Sequence, residues 1–240
     1  MNNNFGNSFA DVKQQLQNGA DPEDVFLDVH PFYEGFAVVK LGSEYNFKCN
    51  FIDTNNNLLR DDLWFDEAWE FHEGFAPVYV RGKGWNFINA DGNILRDDMW
   101  FDGVGGFQKG LGTVYVKDRG WNFIKPDGNI LRDDLWFELI DNFYEGFAVV
   151  ELKGKYNFID RNGNLLRDDL RFDEAGRFHK GFAKVILHDQ MLLINKKGNL
   201  YDQDKNLLDI KRRTVRLTES QLRNTIKRVV SQCLKEGRIR

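Results

Sequence analysis

The chain has 240 residues with 21 Phe, six Trp and only four Pro, a composition too rich in large apolar side chains for a disordered protein. No apolar run approaches the roughly 18 residues that a membrane-spanning helix needs, and Cys49 and Cys233 lie far apart in unlike settings, which excludes a disulfide framework and points to a reducing compartment. The net charge of −4 is uneven: residues 211–240 hold ten Lys or Arg against Glu219 and Glu236, hence +8, so residues 1–210 carry −12.

The start, Met1-Asn2-Asn3-Asn4-Phe5, lacks the basic and apolar regions of a signal peptide. Ser8 is placed to cap a helix through Gln17 with Phe9, Val12 and Leu16 on one face, and Asn18-Gly19 ends it. Asp21-Pro22 reads as a second helix start, Asp as N-cap and Pro at the first helical position. Residues 1–30 are thus expected to form a small helical cap on the first unit of a repeat array.

The repeat itself is written in a nine-residue run. Asn57-Leu58-Leu59-Arg60-Asp61-Asp62-Leu63-Trp64-Phe65 returns as Asn93 to Phe101, as Asn129 to Phe137 and, with Arg171 in place of Trp, as Asn164 to Phe172. A degenerate last copy is Gly198-Asn199-Leu200-Tyr201-Asp202. The marker Phe-x-x-Gly-Phe sets the period, with glycines at 35, 74, 110, 146 and 181 and Leu111 replacing the second Phe once. The chain therefore holds five units of 35 to 39 residues, spanning residues 31–210.

Within the second unit, Phe75 to Val80 and Trp85 to Asn89 read as strands joined by the turn Arg81-Gly82-Lys83-Gly84. Asp91-Gly92-Asn93 is a further turn, Ile94-Leu95 a short third strand, and the Asp97-to-Trp100 stretch leaves the sheet because Asp is depleted in strands. The first strand is apolar on both alternating faces, so it must be covered on both, as stacked units do. Pro77 has no N–H and demands an edge or an irregular ladder position. Around Ser43 to Cys49 the first unit carries three extra residues, which lengthen or bulge its hairpin.

Gly-Phe-Ala-x-Val, the Gly84-Trp85 and Gly120-Trp121 hairpins, Phe-Ile, Asp-Gly-Asn and a subsequent Phe-Asp together resemble the WG-repeat family over about residues 32–205. The resemblance implies a bacterial or phage-type repeat protein built from β-hairpins, in the cytoplasm of a bacterial host or encoded by a phage, with no catalytic motif to carry over. The sequence departs from the family pattern at Tyr156 and Met191, where the Trp is lost, and in the uniformity of its Leu-Arg-Asp-Asp-x-Trp-Phe run.

Four columns carry candidate roles. Arg60, Arg96, Arg132 and Arg167 with Asp61, Asp97, Asp133 and Asp168, and with Asp62, Asp98, Asp134 and Asp169, form either a cation site or a structural ladder of bidentate Arg–Asp contacts. The fixed positive charge in every copy favours the ladder, within or between units. Trp64, Trp100 and Trp136 align with Arg171, so this column is expected to be half exposed; packing between successive units is its favoured role, and it stands also as the candidate ligand or partner platform. Trp85, Trp121 and Tyr156, aligned with Cys49 and Met191, are expected in the core. His72 and His179 share a column with Tyr33, Gln108 and Tyr144, which places it at the surface.

Beyond residue 210, Thr218-Glu219-Ser220-Gln221 is a capping box. Leu222, Ile226, Val229 and Val230 then keep helical spacing among Arg223, Lys227 and Arg228, giving a basic amphipathic helix. This tail resembles those on proteins of gut-bacterial phages, which implies a docking or sorting tag.

The sequence therefore predicts a mainly β, five-unit β-hairpin array, solenoid-like or curved, with short N-terminal helices over 1–30 and a C-terminal amphipathic helix over 211–240. No cofactor, metal site or enzyme activity is expected: the four histidines have no nucleophile motif beside them, and no phosphate-binding loop or metal-spaced Cys/His cluster occurs. The expected role is a non-enzymatic scaffold for protein–protein interaction docked through the tail, without a membrane role. The alternatives are a nucleic-acid-associated protein held by the same tail, or a carbohydrate or small-ligand binder using the Trp column.

Overall fold

The structure, a computed structural model, describes residues 9–208. Ser8 and the whole tail helix, with Leu222, Arg223, Ile226, Lys227, Arg228, Val229 and Val230, lie outside these residues. Helix α1 (Phe9–Gln17) is followed by the short α2 (Pro22–Val25), whose N-cap Asp21 accepts a hydrogen bond from the Glu23 N–H at 3.1 Å.

Seventeen strands then form five antiparallel sheets, one per repeat unit, and no barrel closes among the described residues. The first sheet is β1 (Asp28–Val29), β2 (Phe36–Ser43) and β3 (Asn46–Asp53). The second is β4 (Glu67–Ala68), β5 (Phe75–Val80) and β6 (Gly84–Asn89). The third is β7 (Gly103–Gln108), β8 (Leu111–Val116) and β9 (Gly120–Ile124). The fourth is β10 (Leu139–Ile140), β11 (Phe147–Leu152) and β12 (Lys155–Asp160). The fifth adds β16 (Leu200–Tyr201) and β17 (Leu207–Leu208) to β13 (Glu174–Ala175), β14 (Phe182–Leu187) and β15 (Gln190–Asn195).

The extra residues of the first unit lengthen its hairpin to eight residues per strand against six in the second. Pro77 sits where the ladder is irregular: β4 ends at Ala68, opposite Val78, and beyond that point the Trp69 N–H donates to the Pro77 carbonyl. Ile94 forms a single bridge to Ile88 instead of a strand. After the Arg-Asp-Asp stretch the chain returns to the sheet it left, where Phe101 pairs with Trp85. It then crosses to the next sheet, where the Asp102 N–H donates to the Tyr115 carbonyl.

That crossing dictates where the apolar cores lie. Each core forms between two successive sheets: Phe51 and Phe65 of the first unit pack with Phe71, Val78 and Ile88 of the second. Phe87 and Phe101 then pack with Phe107 and Ile124, and Phe158 and Phe172 with Phe178 and Ile194. Both faces of each inner strand are covered, as its two apolar faces require. Val12, Leu16, Val25 and Phe26 of the helical segment cover the outer face of the first sheet, against Ala37, Val39 and Ile52. Cys49 is buried in the first core with a free thiol, whose pKa burial pushes up to about 11.

The Arg–Asp contacts are bidentate and lie within a unit, but with the other aspartate column from the one singled out as the ladder. The bidentate partner is the second aspartate of the same unit: Arg60 Nε and Nη2 donate to Asp62 at 2.8 and 2.6 Å, and Arg96, Arg132 and Arg167 do the same to Asp98, Asp134 and Asp169. Asp61, Asp97, Asp133 and Asp168 are not the partners. Asp61 meets Lys13, and Asp133 meets Arg119 at 3.3 Å. The tie between units is a carbonyl: the third guanidinium nitrogen donates to Gly92, Gly128, Gly163 and Gly198 of the next unit, at 3.2, 3.5, 3.3 and 2.8 Å. Those glycines belong to the Asp-Gly-Asn turns and their equivalents. At Gly128, with φ +80°, an added Cβ would stand 2.7 Å from the Leu95 carbonyl oxygen. The glycine thus lets one unit's turn lie flat on the last unit's Leu-Arg run.

Arg96 beside Asp98 holds that carboxyl below the usual carboxylate range. A depressed folded-state value means the stabilisation is present above about pH 4 and is lost as pH falls through it. Exposure grades the energy. The Arg167–Asp169 pair is the most enclosed, with side chains 10% and 20% accessible, against 27% and 73% for Arg96–Asp98. Arg167→Met is therefore expected to cost about 2–3 kcal/mol, because it removes the bidentate contact to Asp169 and the donor to the Gly198 carbonyl, and Arg96→Met about 1 kcal/mol. Urea unfolding of the two variants checks the order, and equal losses would contradict it.

Candidate functional site

The Phe-x-x-Gly-Phe marker is a two-residue turn with both central residues at positive φ: 50° and 88° at Glu34-Gly35, 53° and 81° at Glu73-Gly74. Such a turn matches the twist of the strands it joins and aims two adjacent N–H groups outward. Each carboxylate is then received by the next unit. Glu34 accepts from the Glu73 and Gly74 N–H groups, both at 2.8 Å. Glu73 accepts from Lys109 and Gly110 at 2.5 and 2.6 Å, and Glu145 from Lys180 and Gly181 at 2.6 and 2.9 Å. The same two-oxygen, two-donor contact thus links units one to two, two to three and four to five. At the junction of units three and four Lys109 stands where a glutamate is needed, and the relay breaks.

The break coincides with other departures of the third unit. Aromatic trios join neighbouring sheets elsewhere: Phe36 and Phe51 with Phe71, Phe75 and Phe87 with Phe107, Phe147 and Phe158 with Phe178, at 4.2 to 5.1 Å between ring centres. Between units three and four only Phe123 and Phe143 meet, at 4.9 Å, because Leu111 replaces the third ring. Gly105 and Gly106 occupy the places of Trp69 and Glu70, and β7 bulges between Gly105 and Gln108. Gly105, the last residue in register before the bulge, lies so close to its partner Thr113 that a Cβ would stand 2.5 Å from the hydroxyl oxygen.

These small residues open a cleft of about 530 Å³ with Phe107, Leu111, Phe123 and Phe143 on its apolar side. Its polar rim comes from four units, with Glu34, His72, Glu73, Gln108, Lys109 and Asn142. His72 is exposed, as its column predicted, and so is His179. Across the third junction Arg161 donates to the Lys109 carbonyl and lies over the Phe143 ring, 4.6 Å from its centre. Glu34 and Glu73 stay negative with their oxygens engaged in the relay, and the Lys109 ammonium is the cation of the rim. The arrangement suits holding an extended segment with apolar and acidic groups. It presents no paired general acid and base.

The aromatic columns depart from the expected exposure except at Trp100 and Arg171, which are half-buried, and at Cys49, which is buried, as expected. Trp64 and Trp136 are buried, each 9% accessible, and Trp100 is half-buried. Each ring is covered by its own chain: Phe9 stacks on Trp64 at 4.7 Å, Lys83 lies over Trp100 at 5.4 Å, and Arg119 over Trp136 at 4.4 Å. Arg171 takes the fourth place by donating to the main-chain carbonyls of Arg167, Asp168 and Leu170. Conversely Trp85, Trp121 and Tyr156 are only half-buried, and Met191 is exposed. An indole and a guanidinium both fit the first column because each can pack flat and donate to a carbonyl, as Trp136 does to Asp133 at 3.2 Å. The indole N–H of Trp64, by contrast, is buried without a hydrogen-bond partner, so the donor role is not shared by the whole column, and Trp/Arg occupancy gives no measure of exposure.

Two further columns carry roles that spacing did not reveal. One is the relay glutamate within the marker itself. The other is Asn50, Asn86, Asn122 and Asn157, each at most 2% accessible. The Asn122 amide donates to the Arg132 and Leu135 carbonyls at 2.8 and 3.0 Å, while its oxygen accepts from the Phe123 N–H. An Asn inside every aromatic strand but the last was the available signal, since Asn is depleted in strands. Among the described residues no group of three His, Cys, Asp or Glu is placed to hold a metal, and no helix is long and apolar enough to cross a membrane.

No curated protein sequence matches the chain. Among solved structures it is similar to the computationally designed Ika8 protein, at 13% identity and TM-score 0.37, covering 75% of this chain and 60% of that one. BamB from Moraxella catarrhalis aligns at 8% identity and TM-score 0.37, over 77% of this chain and 73% of its own. Kluyveromyces lactis Hsv2 aligns at 12% identity and TM-score 0.37, over 72% and 62%. Residues 25–45, 65–83, 137–156 and 158–189, in the first, second, fourth and fifth sheets, match the family described as WG containing repeat, and these four matches support the WG-repeat family for the array.

Proposed function

We propose that this protein is a non-enzymatic repeat scaffold that holds a protein partner in the cleft between its third and fourth units, with the basic stretch 211–240 as a second docking element. One observation carries the reading. Four substitutions that break the repeat rule, at 105, 106, 109 and 111, fall together in space and open a single cleft, while the other junctions fasten to themselves. The proposed occupant is an extended segment of a partner, with an apolar side chain against Leu111 and Phe143 and an acidic one toward Lys109. The Lys109 ammonium favours that pairing, since the rim carboxylates of Glu34 and Glu73 are already received by main-chain N–H groups.

The test is a random peptide library selected on the full chain, with the selected peptides titrated against wild type and Leu111→Phe. That variant supplies the ring found in the other trios, so it is expected to keep the fold and weaken binding at least tenfold. Peptides that bind both proteins equally would overturn the cleft reading. Duplex DNA titrated across a salt series addresses the alternative partner. Steeply salt-dependent binding that is lost when Arg223, Lys227 and Arg228 are changed to Gln would overturn the protein-partner reading in favour of nucleic acid.

A further inference from the structure

The broken relay leaves a preformed receptor. Glu145 and Gly146 hold φ of 51° and 95°, the conformation of the Glu73-Gly74, Lys109-Gly110 and Lys180-Gly181 turns that each receive a carboxylate. No described residue accepts from the N–H groups of Glu145 or Gly146, although Tyr144 and Phe147 close the turn normally at 2.8 and 3.1 Å. Both turn residues are exposed. The reason is chemical: unit three offers an ammonium at the place from which the other junctions supply a carboxylate.

The surroundings favour a negative group brought from outside. Lys109 adds positive charge where a resident glutamate would have added negative. The Arg161 guanidinium, which donates to the Lys109 carbonyl, lies 4.6 Å from the centre of the Phe143 ring, two residues before the turn, whereas Arg177 over the Tyr144 ring is held by both oxygens of Asp141. Glu145 does not oppose an incoming anion at its own N–H, since its carboxylate is turned to the next unit, held by Lys180, Gly181 and the Lys196 ammonium at 2.9 Å. Two main-chain donors side by side with a cation near them make a charge-assisted, two-point contact for a carboxylate.

We infer that the Glu145–Gly146 turn, at the junction where Lys109 replaces the relay glutamate, is a docking site for the carboxylate of an acidic side chain on a protein partner, which completes in trans the relay that the chain completes in cis at its other junctions. The inference rests on the scaffold reading above and names the chemistry of the partner. It also gives the cleft a register: Asn142 and Phe143 line the cleft and lie three and two residues before the turn, so the acidic residue docks at the end of an apolar segment.

The experiment follows the amide resonances of the full-length, isotope-labelled protein during titration with the blocked peptide N-acetyl-Gly-Glu-Gly-amide, and with its Gln counterpart as neutral control. The expected result is a saturable downfield shift of the Gly146 and Glu145 amide protons with the Glu peptide alone. Gly74, Gly110 and Gly181, whose turns already hold carboxylates, should stay still. Lys109→Glu is expected to abolish the response by supplying the carboxylate from within and to raise the melting temperature by about 2–4 °C. The Glu34–Gly35 turn, which no repeat unit precedes and which has no lysine at the equivalent place, is expected to respond at least fivefold more weakly. Absence of a saturable shift, an equal response at Gly35, a response to acetate without one to the peptide, or persistence in Lys109→Glu would each overturn the proposal. Leu111→Phe fills the cleft but leaves the two N–H groups alone, so the scaffold reading and this one fail separately.

Discussion

Gly120→Ala is expected to destabilise the protein by about 2–4 kcal/mol, among the largest effects of any single methyl group added to the array. Two penalties combine. Gly120 has φ +105°, which an L side chain rarely adopts, and its added Cβ would stand 2.3 Å from the Phe137 carbonyl oxygen. That oxygen receives the Trp121 N–H at 2.7 Å, and the Phe137 N–H donates back to Trp121 at 3.0 Å. The clash therefore pries apart the bridge that returns the end of the third unit to its own sheet. The second unit repeats the arrangement at Gly84, 2.5 Å from the Phe101 oxygen. The fourth unit escapes it: its tighter turn at Lys153-Gly154 allows Lys155 to occupy the equivalent place. Gly74→Ala separates strain from collision, because φ is +81° there but nothing lies within 4 Å of the new methyl group. Its cost should be about 1 kcal/mol. Thermal and urea unfolding of both variants decide the matter, and equal losses would show that the close approach of Phe137 is not what requires glycine.

Asn122→Leu should cost roughly 3–4 kcal/mol in spite of matching volume. The change removes the side-chain donor from two carbonyls of the Arg132-to-Leu135 loop and the acceptor from the Phe123 N–H, all in a place closed to water. An unsatisfied buried group carries its full desolvation penalty. The fifth unit shows when the amide becomes dispensable: Leu192 holds this position there, and the Arg-Asp-Asp loop that the amide would fasten is missing. Hydrogen exchange adds a local check. Amides from Arg132 to Leu135 should exchange much faster in the variant at conditions where the remaining sheets stay protected. A loss below about 1 kcal/mol would mean that the loop is held by the Arg132–Asp134 contact alone.

Both substitutions act on residues whose roles were only partly legible in the sequence. The period, the five units, the two-strand hairpins, the lengthened first hairpin and the helical start at Asp21-Pro22 were readable because each rests on local chemistry. Turn glycines, β-rich alternation and a proline at a helix's first position constrain the backbone wherever they occur. Stacking was readable too, since a strand apolar on both faces has no stable alternative to being covered on both.

Which side chain meets which was decided by the tertiary structure. Arg60 was equally free, from spacing alone, to take either aspartate or one in the next unit. The path of the loop over the neighbouring Asp-Gly-Asn turn directed it to Asp62 and the Gly92 carbonyl. Trp64 and Trp136 were expected to be half exposed because Arg171 shares their column, yet Phe9 and Arg119 cover their faces. The cleft was least visible of all. Leu111, Lys109 and Gly105 each read as an ordinary variation of a repeat, and they became one site only when the bulged β7 and the neighbouring sheet brought their consequences together. A repeat sequence specifies what every unit shares through short-range constraints. What one unit does differently is expressed across the junction, between residues tens of positions apart, where only packing determines the outcome.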